Sequence, residues 1–161
     1  MTRTIARLGL AWLVVAIAVP VAAQAGADKF AGKWVLNAAK SQFSGGGALG
    51  SSTVTITNGK HGAIRMTADA TRTDGRVTHY EFAGPADGSS LAVTGTVPWD
   101  SVTLLHPDKN TVVRTERKGG HLVGITTATL AADGKSFTSV RRTFGDATQL
   151  SYTALYERAK H

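Results

Sequence analysis

The chain has 161 residues, 42% hydrophobic and 18% charged, with 18 Gly, 4 Pro and no Cys. This composition excludes a disordered, collagen-like or multidomain chain, and the missing Cys excludes disulfides and thiolate chemistry. A net charge of +7 invites a nucleic-acid partner until the start of the chain is considered.

Arg3 and Arg7 precede an apolar run from Leu8 to Val19, followed by Pro20 and the small residues Ala23 and Ala25. A charged start, a short apolar stretch and an A-x-A exit are the layout of a secretory signal peptide, and the stretch is short for a membrane span. Residues 1–25 are read as a leader cleaved near Ala25, and 26–161 as one domain. The expected address is bacterial, periplasmic or secreted. Taking Arg3 and Arg7 from the 18 basic residues, against 11 acidic ones, lowers the charge to +5. Export argues against nucleic acid.

Thr, Val and Ile together number 40, and their branched Cβ atoms suit a pleated surface. Strands are predicted near 30–37, 52–57, 63–71, 76–82, 90–97, 101–106, 111–118, 121–131, 136–144 and 149–157. Turn pairs such as Asn58-Gly59, Asp74-Gly75, Asp87-Gly88, Gly119-Gly120 and Asp133-Gly134 separate them. In 63–71, Ile64, Met66, Ala68 and Ala70 share one face, while Arg65, Thr67, Asp69 and Thr71 share the other. One face is core and one is wet. The most aromatic faces belong to the first strand, with Phe30, Trp34 and Leu36, and the last, with Leu150, Tyr152 and Tyr156. Joining first strand to last removes two exposed edges, so the expected fold is all-β: a single antiparallel up-and-down β-barrel of about 8–10 strands. No window shows a helical period. One helical turn at Ala38-Ala39-Lys40-Ser41 and a Gly-rich loop over 38–50, a candidate lid, are expected between the first two strands.

The opening Phe30-Ala31-Gly32-Lys33-Trp34-Val35-Leu36 resembles the F-x-G-x-W start of the calycin barrels, the lipocalins and fatty-acid-binding proteins. The close, Thr153-Ala154-Leu155-Tyr156-Glu157-Arg158, is similar to the T-R-x-Y-E-K ending of the fatty-acid binders. The segment from Gly32 to Phe43 resembles the start of small secreted bacterial proteins described as lipocalin-like. The resemblance implies a barrel in which Gly32 bends the first strand and Trp34 plugs the closed end. It does not carry over fatty-acid binding, because Ala154 stands where those proteins place a carboxylate-holding arginine.

The chemistry-bearing residues are sparse. No G-x-S-x-G occurs, and His61, His79, His106, His121 and His161 form no H-x-x-x-H pair, so neither a catalytic serine nor a metal or other cofactor is expected. His79 and Glu81 are the only His and acid spaced to share a strand face. Of Arg141 and Arg142, adjacent on a strand, one must face inward. Arg142 is the expected one, through its shared parity with Val140 and Phe144, with Arg114 beside Val112 as a partner. An inward guanidinium requires a carboxylate, from Glu116 or from an acidic ligand. Arg142 has a second reading, lying over Trp34 as a late-strand arginine does in the calycins. The run Arg114-Thr115-Glu116-Arg117-Lys118 reads as a solvated basic edge that attracts anionic envelope surfaces weakly.

The expected function is binding of a small, mainly apolar ligand, with an acidic one open, by Trp34, Arg114, Arg142, Tyr152 and Tyr156. Two other readings stay open: an envelope interaction or inhibitor module acting through loops, and a barrel-type enzyme using His79 and Glu81 or the tyrosines. A hollow of about 300 Å³ or more would favour a binder.

Overall fold

The computed structural model describes residues 27–45, 47–145 and 150–160. The leader predicted at residues 1–25 lies outside the described residues. After a short helical turn, α1 (Ala27–Phe30), the chain forms β1 (Gly32–Ser44), β2 (Leu49–Asn58), β3 (Ala63–Arg72), β4 (Val77–Pro85), β5 (Asp87–Ala92) and β6 (Thr94–Gly95). It continues as β7 (Ser101–Asp108), β8 (Thr111–Lys118), β9 (His121–Leu130), β10 (Ser136–Thr143) and β11 (Ser151–Arg158). These strands make one 11-stranded antiparallel sheet in the order β5-β7-β8-β9-β10-β11-β1-β2-β3-β4-β6. The result is a nearly closed up-and-down barrel.

First and last strands meet as the aromatic faces imply, with Leu36 opposite Tyr156 and Trp34 opposite Arg158. The expected alternation on β3 also holds: Ile64 and Ala68 are buried, and Arg65 and Asp69 are exposed. Trp34 is fully buried; its Nε1 donates to the Phe30 carbonyl at 2.8 Å, and its ring meets Phe137 edge-on at 4.9 Å.

Three expectations about elements are corrected. No helical turn or Gly-rich lid occupies 38–44, because β1 continues to Ser44. The ladder to β11 jumps from Asn37–Leu155 to Gln42–Thr153, so Ala38 to Ser41 stand against Ala154 alone. Such a bulge interrupts backbone pairing. The Ser41 hydroxyl repairs it, donating to the Asn37 carbonyl at 2.7 Å and accepting the Leu155 N–H at 3.0 Å. The second correction concerns 90–97, which splits into β5 and β6, while Asp87-Gly88 falls in a bulge rather than a turn. The third concerns 114–118: β8 lies between β7 and β9, so it is no edge, and Arg114 and Glu116 are buried.

The split strand forms the seam of the barrel. Ala92 pairs with Ser101 of β7, and Gly95 pairs with Tyr80 of β4, so the chain crosses from one sheet margin to the other at Val93. Gly95 has a φ of +127°, and a Cβ there would lie 2.1 Å from the His79 carbonyl oxygen. Only glycine fits this crossing.

Candidate binding site

The barrel interior is ordered in rows set by strand register. Leu104, Arg114, Thr126, Arg141 and Tyr152 lie opposite one another on β7 to β11. Inward parity on β10 follows Phe137 and Ser139, both buried, and therefore selects Arg141. The expectation for Arg142 is corrected: it is exposed, and Phe144, which shares its parity, lies exposed beyond the strand end.

Glu116 connects the two inward arginines. Its Oε1 accepts from Arg114 Nη2 at 2.7 Å and Nε at 3.2 Å, and from the Thr126 hydroxyl at 3.0 Å. Its Oε2 accepts from Arg141 Nη2 at 2.7 Å and Nε at 2.9 Å. The carboxylate has no exposed surface, and the side chains of Arg114 and Arg141 are 7% and 10% exposed. Burial pushes the Glu116 pKa up, but Arg114 and Arg141 outweigh it and hold the group below its ordinary value. Burial likewise opposes the charge on Arg114, and Tyr80 and Glu116 more than offset it. Among the described residues this buried cluster thus carries two guanidiniums and one carboxylate. Gly124, opposite Glu116 on β9, makes room for the pair, since a Cβ there would lie 2.5 Å from Glu116 Oε2.

Arg114 also organises aromatic residues that sequence reasoning missed. Its Nη1 donates to the Tyr80 hydroxyl at 3.0 Å, and its guanidinium carbon lies 5.4 and 5.3 Å from the ring centres of Tyr80 and Trp99. Those two rings meet edge-on at 4.7 Å. Tyr80 was accessible from sequence through its period-2 spacing with Phe82, whereas Trp99 sits outside any strand and gave no signal.

Two neighbouring cavities flank this cluster. The first, of about 80 Å³, is mainly apolar, with Phe30, Ile64, Phe82, Leu104 and His106 in its wall. The second, of about 120 Å³, has Trp99, Arg141, Arg72 and Leu150 in its wall. Val54, Tyr80, Arg114, Tyr152 and Tyr156 belong to both. Burial raises the pKa values of Tyr152 and Tyr156, so both phenols stay neutral. The Tyr156 hydroxyl donates to Ser52 Oγ at 3.2 Å. Arg72 feels the charge of Arg141, and burial comes first in lowering its pKa. Neither cavity reaches the 300 Å³ of a drug-sized site. A shallower cleft of about 310 Å³ lies where Phe43, Arg142 and Thr153 meet.

Of the expected ligand-binding residues, Arg114, Tyr152 and Tyr156 converge on the interior. Trp34 lies outside the walls of both cavities. The arginine over Trp34 is Arg158, not Arg142: its guanidinium carbon is 4.1 Å from the ring centre, and it donates to the carbonyls of Ala31, Lys29 and Gly134. His79 and Glu81 stand on the outer face, each engaged across the ladder, His79 with Asp69 at 2.7 Å and Glu81 with Arg65 at 2.6 Å.

No family model matches the chain. No curated protein matches it in sequence. Among solved structures it is similar to a redesigned β-barrel, mFAP1, solved bound to DFHBI, with 14% identity over 84% of this chain and 100% of that one and a TM-score of 0.48.

Proposed function

We propose that this barrel is an exported, lipocalin-like carrier, periplasmic or secreted, that binds a small, mainly apolar molecule with an acidic group and is not an enzyme. The observation that carries the reading is the charge balance beneath the paired cavities, where two buried guanidiniums share a single carboxylate. Arg141 spends three hydrogen bonds on Glu116 and the Leu150 carbonyl, and a guanidinium has five N–H donors. Its remaining donors and its excess charge suit a carboxylate in the second cavity, with the apolar body in the first. Size limits the ligand: a cavity of about 150 Å³ holds a benzene ring, so this pair suits one ring and a short substituent, on the order of ten non-hydrogen atoms. A long-chain fatty acid is too large. The leader pattern supports export, and the basic mature surface supports weak contact with anionic envelope lipids. A catalytic role for His79 and Glu81 has little support, since the exposed His79 and the half-buried Glu81 are both occupied by partners on the outer face.

Phenylacetate is a suitable probe, followed through Trp99 fluorescence and calorimetry. Saturable binding that weakens at least tenfold in Arg141→Met is the expected result; an unchanged signal at millimolar probe would end the proposal. Native mass spectrometry of protein from its own source should also show a co-purifying acid of this size.

A further inference from the structure

His106 is the inward residue of β7 two positions on from Leu104, and it lines the first cavity. Both of its ring nitrogens are shielded from solvent, and neither makes a hydrogen bond of good geometry, the nearby Thr111 backbone standing outside it. Among the described residues these are the only buried side-chain nitrogen or oxygen atoms so placed. Leaving such atoms unpaired is costly, and the arrangement suggests a partner that occupies the cavity.

The surrounding groups narrow the chemistry. Phe30 lies beside the imidazole with ring centres 6.5 Å apart, and Leu104 and Val112 contribute to the same wall. Burial lowers the His106 pKa, outweighing the Thr111 backbone and the Asp108 carboxylate, which both favour the proton. The ring is therefore neutral near pH 7, with one donor nitrogen and one acceptor nitrogen. A hydroxyl can serve either one. Along β7, His106 lies two residues, about 7 Å, beyond the row of Leu104, Arg114 and Arg141, so it stands away from the acid-binding row.

We infer that His106 is a specificity residue that recognises a hydroxyl group at the end of the ligand opposite its acid, so that the preferred ligand is a small hydroxy-aromatic acid. This rests on the acid-binding reading above, and it adds a second polar anchor. Between the two anchors the wall is mainly apolar, so the anchors set the ligand's direction.

The test compares phenylacetate with 4-hydroxyphenylacetate by calorimetry on the purified protein, its His106→Leu variant and its His106→Asn variant. Wild type should bind the hydroxylated probe about tenfold more tightly than phenylacetate, in His106→Leu that ratio should fall to about one whatever the affinity for phenylacetate itself, and His106→Asn should retain part of the preference. On binding, the His106 imidazole nitrogens of the wild type should shift in ¹⁵N NMR with the hydroxylated probe only. Equal affinity of the wild type for both probes, or an unshifted imidazole, overturns the inference and leaves the acid-binding proposal standing. Failure of both probes to bind overturns both.

Discussion

Glu116 holds two cations at a depth where neither has much water. Replacing it by Gln keeps the shape and removes the charge, so Arg114 and Arg141 each lose a charged partner while staying buried. Breaking a buried pair in this way costs about 3–5 kcal/mol, and urea denaturation at pH 7 should show a loss of that size for Glu116→Gln. The pH dependence has a definite sign. Because the folded pKa of Glu116 is below its ordinary value of 4.5, its stabilisation is complete above that pH and fades as pH falls through the lower folded value. The gap between wild type and variant should be constant above about pH 4.5 and narrow below it. The Arg114–Glu116 pairing was one of two readings the sequence left open, since an inward arginine demands a carboxylate and Glu116, two residues on, shares its face, while an acidic ligand was the other. Arg141 was not. Its parity had to be chosen between neighbours, and the exposed Phe144 was a misleading marker, whereas the buried Phe137 and Ser139 set the true phase. His106 was invisible as well, because only coordinates show that both ring nitrogens lack a hydrogen bond of good geometry.

The seam is the element that local propensity predicts least well. One run of residues serves two strands, and the switch depends on Gly95 lying against the backbone of β4. Gly95→Ala places a methyl where the His79 carbonyl oxygen already sits, and the ladder between β6 and β4 must give way. A loss of about 2 kcal/mol or more is expected, together with faster amide exchange at Thr96, whose N–H donates to that same carbonyl at 2.7 Å. Hydrogen-exchange mass spectrometry reads both the site and its extent; protection unchanged around residue 96 would show that the crossing tolerates a side chain. The β1 extension had a similar reason for escaping notice. Ala38-Ala39-Lys40-Ser41-Gln42 has no β-branched residue and no alternation, so it is held by the β11 pairs at Asn37 and Gln42 that flank the bulge and by Ser41 bridging it. Hairpins, by contrast, were legible where Gly75 and Gly134 adopt the positive φ that their turns demand.

At the scale of the whole molecule, the ladder between β1 and β11 is the longest-range connection in the chain. Arg158 closes it with a hydrogen bond to the Ala31 carbonyl across 127 positions of sequence. Deleting residues 151–161 would remove β11, expose the margins of β1 and β10 and take away the Arg158 guanidinium that covers Trp34. The truncated chain should lose near-UV dichroism and cooperative unfolding together, while retention of either would show that the remaining strands form a self-sufficient sheet. Such a topology also governs when the protein takes shape during its life. Contacts this distant form slowly, since the loop-closure cost comes before the pairing that offsets it. Until the final eight-residue strand is available, the polypeptide has no closed state to occupy. Before that, the margins of β1 and β10 stay open, and no strand joins the two halves of the sheet between which β11 lies.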